Sequence, residues 1–502
     1  MQPIKQPPYI RSNNIDLARW QSAVADTVRK SITEKDPQAG LCDMNKDVML
    51  HAMVQGTNLH VARHAAGAPK MTEDQARKFF PAEDDKREIG PALHSYLSQY
   101  FFEAANDLKA GNISEIVIPP VQFPESDYAY AQWLLAAATW TLYANPEKSP
   151  YIDWKTEGAD INTFGVVQIP ENSKIAILGD FGTGLNDATM FLMAIIKDQK
   201  PDIIIHLGDI YYTGTEAECA LYTQTFETAF AATGITVPVY SIPGNHEYYT
   251  GGFPFFKQVL PMNNKQVASY FCLQTTGNNW QLLAMDTGYN SLHTKTGLSA
   301  VKTVAYAPWL QFNEAEWHIN KLENFPGKTI LLSHHQLYSA SSPINNHMQV
   351  VYMTGTDPGA NVPDYLNRNL QAVFSPYYDK VAAWFWGHEH ILGIYEDGKA
   401  GLAKGRLIGD SGYEEWEGEG PYVVTGSTYP YSAKPPLQPD VSVVNWLELE
   451  FKFINHSCAM VQLKGNAATV NYYQYPVLGP HVNIPPINEL PPLAPIDFSD
   501  TL

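Results

Sequence analysis

Basic residues are scarce in this chain. Lys and Arg number 33 against 52 Asp and Glu, a formal charge of −19 over 502 residues. That balance disfavours nucleic acid or an anionic membrane as a main partner, because the electrostatic contribution has the wrong sign. A phosphorylated substrate stays compatible with an acidic protein where bound cations reverse the field locally. Cysteine is scarcer still. Cys42, Cys219, Cys272 and Cys458 lie far apart with no CxxC pair, which argues against zinc ribbons and a dense disulfide framework. Long apolar runs are missing too. The nearest, Ala129 to Ala144, contains Gln132, Thr139 and Thr141 and reads as a buried helix, not a membrane span. The opening MQPIKQPPYIRSNN lacks the apolar centre of a signal peptide, so a cleavable export signal is not expected. The expectation is a cytoplasmic protein, or one exported by a signal-independent route.

Hydrophobic residues make up 45% and charged residues 17%, the proportions of an ordinary globular protein with room for two or three domains. Residues 1–155 read as a helical N-terminal domain: Leu17, Trp20, Ala23, Val24, Val28 and Ile32 recur at the three-to-four spacing of one helix face. No catalytic motif stands there. His60 and His64 are four apart, but the glutamate that a zinc protease needs after the first histidine is absent.

From about residue 170 apolar β-branched runs alternate with helical segments, which means parallel crossovers and an α/β fold. The runs are Lys174–Asp180, ending in Gly-Asp, Ile203–Tyr212, which opens apolar and closes with Gly208 and Asp209, Val237–Pro243, Trp280–Met285, Thr329–Leu332 and Ala382–Trp386. Segments 445–453, 460–464 and 468–475 read as antiparallel edges of a second sheet. Residues 476–502, rich in proline, read as an extended surface tail. The domain of interest is therefore 170–475.

Most of these runs end in a polar donor, usually after glycine: Asp180, Asp209 with Tyr212 three residues on, Asn245 with His246, His334, and His388 with His390. Charged groups at the carboxyl ends of buried strands serve sites more often than packing. Hard oxygen and imidazole donors suit Fe, Zn or Mn. A cation pair ~3.5–4 Å apart needs a carboxylate that reaches both, and Asp209 is the natural bridge. The glycines are expected to turn the backbone so that each donor points inward.

In order along the chain, Gly179-Asp180-Phe181-Gly182, Gly208-Asp209-Ile210-Tyr211-Tyr212, Gly244-Asn245-His246-Glu247, His334 and Gly387-His388-Glu389-His390 resemble the five blocks of the calcineurin-like metallophosphoesterases, most closely the purple acid phosphatases. Gly182 stands where most of that superfamily has a metal-binding histidine, and Tyr212 matches the tyrosine of the acid phosphatase branch. The resemblance implies a four-layer αββα sandwich. It implies one metal on Asp180, Asp209, Tyr212 and His390, and a second on Asp209, Asn245, His334 and His388. The first would be Fe(III), the second Fe(II), Zn(II) or Mn(II). Metal-held hydroxide would hydrolyse phosphate monoesters, with His246 as acid or phosphate ligand and His347 as a further outer histidine; a phosphodiesterase or nucleotide hydrolase on the same centre is the alternative. The implied partner is a phosphorylated small molecule or phosphoprotein, and nothing sets the oligomeric state.

Competing readings are structural. Asp180 and Asp209 taken singly would be helix N-caps, and Tyr212 a packed aromatic. His206 reads as a core histidine, and His335 is expected to point away from its neighbour His334. Gly409-Asp410-Ser411-Gly412 looks like a serine-protease nucleophile segment, but the α/β pattern contradicts that class.

Overall fold

The computed structural model describes residues 57, 60, 61, 63, 66, 67, 69, 98, 148–211, 214, 216–248, 251–294, 303–305, 307–340, 344, 365–413, 433–434, 441–444, 450–478 and 483–502. The chain divides into two compact units, and Lys148–Gly214, Glu218–Val443 and Lys452–Leu502 form the one treated below. The expected N-terminal helices fall almost wholly outside the described residues, as do Tyr212, His347 and His64. His60 is described, and its Nδ1 lies 3.0 Å from Ser98 Oγ.

In chain order the strands of the two large sheets are β1 (Val166–Ile169), β2 (Lys174–Leu178), β3 (Ile203–His206), β4 (Val239–Ser241), β5 (Phe271–Thr275), β6 (Trp280–Ala284), β7 (Lys328–Ser333) and β8 (Val381–Trp386). They continue with β9 (Leu392–Tyr395), β10 (Gly405–Ile408), β11 (Ala433–Lys434), β12 (His456–Lys464), β13 (Ala467–Tyr475) and β14 (Ala494–Thr501). One sheet has the order β1-β5-β6-β7-β8-β10-β9-β11, the other β14-β13-β12-β2-β3-β4. In the second, β2, β3 and β4 run parallel, and β12, β13 and β14 extend it antiparallel. In the first, β6, β7, β8 and β10 form the parallel centre.

Period-two alternation decides which side chain goes where. Ile175, Ile177, Ile203 and Ile205 face Leu282, Ile330, Leu332 and Phe385 of the other sheet in one shared core. Their neighbours Ala176, Leu178 and Ile204 face outward, under helices α1 (Asn186–Ala194) and α2 (Glu216–Thr233). α2 packs through Cys219, Tyr222, Phe226 and Ala229, the spacing of one helix face. On the far side Leu283, Leu331, Trp384 and Trp386 pack with Trp317 and Leu322 of α3 (Phe312–Asn324) and Leu370 and Phe374 of α4 (Arg368–Phe374). The result is the αββα sandwich the sequence implied. Each fully buried Ile or Leu contributes about 1.5–3 kcal/mol of apolar burial, so the sandwich is a rigid mount for whatever its strand ends carry.

The proline-rich tail departs from expectation. Ala494–Thr501 form β14, an edge strand registered on β13 from Ala494 against Gln474 to Thr501 against Thr469. Alternation again explains it: Ile496 and Phe498 pack on the inter-sheet core, while Asp500 accepts two 2.7 Å hydrogen bonds from the buried Arg406. Pro495 is tolerated because an edge strand leaves room for a residue without an N–H. Among the described residues no helix is long and apolar enough to cross a membrane.

Candidate metal centre

Strands β2, β3, β4, β7 and β8 all finish at one edge of the sandwich, and the residues just past them converge. Three of these residues, Asp180 (φ 57°), Asp209 (φ 71°) and His388 (φ 75°), adopt the left-handed backbone that L side chains rarely accept. The bend therefore sits on the donor itself, and at Asp209 on the preceding Gly208 (φ 107°) as well. Two of the preceding glycines serve close approach instead. A Cβ on Gly179 would strike the Ile408 carbonyl, and one on Gly387 would strike Asp180 Oδ2. Backbone strain of this kind persists only where the surroundings enforce it.

Asp180 and Asp209 are buried, and so is His334. On one side, the Tyr211 hydroxyl donates to Asp180 Oδ1 at 2.6 Å and lies 3.0 Å from His390 Nε2 and 3.4 Å from Asp209 Oδ2. His390 Nε2 is 3.6 Å from Asp180 Oδ1, and Asp180 Oδ2 accepts from the His388 N–H at 2.7 Å. On the other side, His334 Nε2 lies 3.2 Å from Asp209 Oδ2, 3.1 Å from Asn245 Oδ1 and 3.2 Å from His388 Nδ1. Asp209 thus stands between two donor groups, with Asp180, Tyr211 and His390 on one flank and Asn245, His334 and His388 on the other. His246 sits at the rim. Its N–H donates to Asp209 Oδ1 at 3.0 Å, its Nε2 is 3.7 Å from Asp209 Oδ2, and its side chain is 15% exposed.

This set fits cations. His334 Nδ1 faces the Leu207 carbonyl at 3.1 Å and must donate there, so in the neutral ring Nε2 carries a lone pair. That lone pair points at a carboxylate oxygen and an amide oxygen, an arrangement of acceptors on acceptors that a cation resolves. A histidine that gives its other N–H to a backbone carbonyl is also the usual form of a metal-held imidazole. Without a cation the charged ring is favoured: burial lowers its pKa, but Asp209, Asp180 and Glu247 together outweigh burial and raise it to about 9. Burial lifts the Asp180 carboxyl to about 6. Burial acts on Asp209 in the same direction, yet His246 and His334 hold it well below the usual carboxylate range. Among the described residues, the ion-pair partners of Asp180 and Asp209 are histidines, with no lysine or arginine.

Of the sequence-predicted donors, Asp180, Asp209, Asn245, His334, His388 and His390 come together, with His246 beside them. Tyr212 and His347 lie outside the described residues. Tyr211 is the residue that sequence reasoning passed over. Gly182 and Ile210 form a parallel bridge, and Tyr211 N–H donates to Gly182 O at 3.0 Å, so pairing continues past Asp209. Ile210 then faces the helix-side core, and period two returns Tyr211 to the face of Asp209. Counting by two from Asp209 would have found it.

His335 does not point away. Its ring lies 4.5 Å from that of His388. The Gly409–Gly412 segment is structural: Ser411 Oγ accepts from Gly179 N–H at 3.0 Å and donates to Ser457 O at 2.7 Å, leaving no nucleophile. The same segment carries Tyr413 onto the His390 ring, 3.7 Å between centroids.

The family model for calcineurin-like phosphoesterases matches residues 173–392. Among solved structures the chain is similar to a dimetal phosphatase from Danio rerio, at 12% identity over 60% of this chain and 96% of that one, with a TM-score of 0.38. It is similar at the same identity, share of this chain and TM-score to GAP50, the anchor in the inner membrane complex of Plasmodium, of which 84% is covered. No curated protein matches the sequence.

Proposed function

The chain belongs, through residues 173–392, to the calcineurin-like phosphoesterases, and on that footing we propose that it hydrolyses phosphate monoesters at a dinuclear metal centre in the manner of a purple acid phosphatase. Asp180, Asp209, Tyr211 and His390 would hold the first cation; Asp209, Asn245, His334 and His388 would hold the second. When bound, such a pair activates water near neutral pH and neutralises charge on the phosphoryl group. The observation that carries the reading is Asp209 shared between two donor groups, with the His334 lone pair aimed at other acceptors.

The protein's own part is orientation and proton transfer. Asp209 fixes His246 through its backbone N–H, which leaves Nε2 at the rim to give a proton to the departing alkoxide. Gly244 N–H donates to Glu247 Oε2 at 2.7 Å, closing the short turn that carries both Asn245 and His246. A Tyr211 phenolate favours Fe(III) at the first position, with Fe(II), Zn(II) or Mn(II) at the second. The substrate is a phosphorylated small molecule or phosphoprotein, and the net charge of −19 keeps nucleic acid and anionic membranes away.

The test combines metal analysis, a visible spectrum and paired hydrolysis of p-nitrophenyl phosphate and bis(p-nitrophenyl) phosphate. Two metals per chain, faster monoester turnover, loss of activity to chelators, and a colour that Tyr211→Phe abolishes are expected. Turnover that survives chelation, or a preference for the diester, refutes the proposal.

A further inference from the structure

Among the described residues, His335 lies with its ring 4.5 Å from that of His388, and neither the proposed ligand set nor the proton transfer gives it a role. It is buried, and ring nitrogens of His334, His335 and His388 gather within 4.8 Å of one another. Thr287, just past β6, holds it in place. Thr287 Oγ1 accepts the backbone N–H of His335 at 3.0 Å and lies 3.0 Å from its ring Nδ1. Those two contacts locate the ring's hydrogen. With the backbone N–H already donating to it, the hydroxyl has one acceptor for its own hydrogen among the described residues, and that acceptor is Nδ1. The neutral ring then carries its hydrogen on Nε2, and a charged ring would carry one there as well. Nε2 has no protein partner among the described residues. A nitrogen that bears hydrogen does not ligate a cation; it donates to an anion.

We propose that His335 is a substrate-contacting residue whose Nε2–H binds a phosphoryl oxygen beside the second cation position, and that Thr287 is the positioning residue that sets its tautomer. The proposal rests on the phosphoesterase reading, and the wild-type protein tests that reading first. In the zinc-loaded full chain, metal content and calorimetric binding of inorganic phosphate are measured before any substitution. A wild type that takes up no metal pair sinks the underlying reading and this proposal with it. Given a loaded wild type, His335→Ala is expected to keep both metals and weaken phosphate about 10-fold or more, the worth of a hydrogen bond to a charged group. Thr287→Val is expected to weaken phosphate by less, and Thr287→Ser to match wild type. Unchanged phosphate affinity in His335→Ala overturns the proposal, and so does loss of a metal, which would make His335 a ligand. A ¹⁵N-histidine spectrum of the loaded wild type serves if a variant fails to fold: hydrogen on Nε2 supports the assignment, and hydrogen on Nδ1 alone refutes it.

Discussion

Gly244→Ala tests the packing of the centre without touching a donor. Gly244 is not in the left-handed region, so alanine meets no backbone penalty there. The obstacle is steric. The added Cβ would overlap Asp209 Oδ1 and stand 2.7 Å from His334 Nε2 and 2.8 Å from the Asp209 carboxyl carbon. Ordinary van der Waals contact begins at 3.4 Å, so Asp209 Oδ1 must give way by more than about 1 Å and His334 by about 0.7 Å. Misplacement near 1 Å costs ~10²-fold in rate, or about 2.7 kcal/mol of transition-state stabilisation. Turnover of the variant is expected to fall by that factor, with weaker metal retention after gel filtration. Gly465→Ala is the control. Gly465 lies in the β12–β13 turn at φ 57° with nothing within 4 Å, so that change costs about 1 kcal/mol of stability and leaves turnover alone. A Gly244→Ala protein with wild-type turnover and metal content would refute the close contact of Gly244 with Asp209 and His334.

Three further outcomes follow from the same geometry. Asp209→Asn is expected to lose both metals and all turnover, read by elemental analysis and a phosphate-release assay; retention of either contradicts a shared carboxylate. His246→Gln is expected to retain two metals while turnover drops ~10²-fold, and undiminished turnover would remove it from the chemistry. Glu314 gives a pH dependence. It is buried, its Oε1 accepts from Asp286 N–H at 2.8 Å, the Tyr151 hydroxyl donates to Oε2, and burial raises its pKa from 4.5 to about 8. A carboxyl whose folded pKa exceeds its unfolded one takes up a proton on folding. Its contribution is full below about 4.5 and is lost as pH climbs toward about 8. Urea denaturation of Glu314→Gln across that window is expected to show a flatter decline than wild type, and parallel curves would refute the assignment.

The parallel strands were legible because strands covered on both faces read as unbroken apolar runs, and Ile203-Ile204-Ile205 is such a run. The donors were legible because each follows such a run and most follow a glycine. What escaped depended on register or on distant partners. Tyr211 needed knowledge that sheet pairing continues past Gly208. Thr287 carries no metal donor, and its partner His335 lies 48 residues away. The C-terminal strand was hidden by its prolines, although Ile496, Phe498 and Asp500 alternate as a strand should. The glycines were legible as necessary, but only in part for the expected reason: Gly208 turns the backbone at φ 107°, while at the other blocks the positive φ falls on Asp180 and His388 themselves.

The spread of the donors along the chain has a consequence for biogenesis. Asp180 and His390 follow strands of different sheets, so the pocket exists only where the two β-layers have met. Contacts this remote in sequence form late. A half-made chain would therefore offer stray ions only isolated side chains, and under the proposed function cation capture would be the closing act of maturation, a certificate that both layers have met.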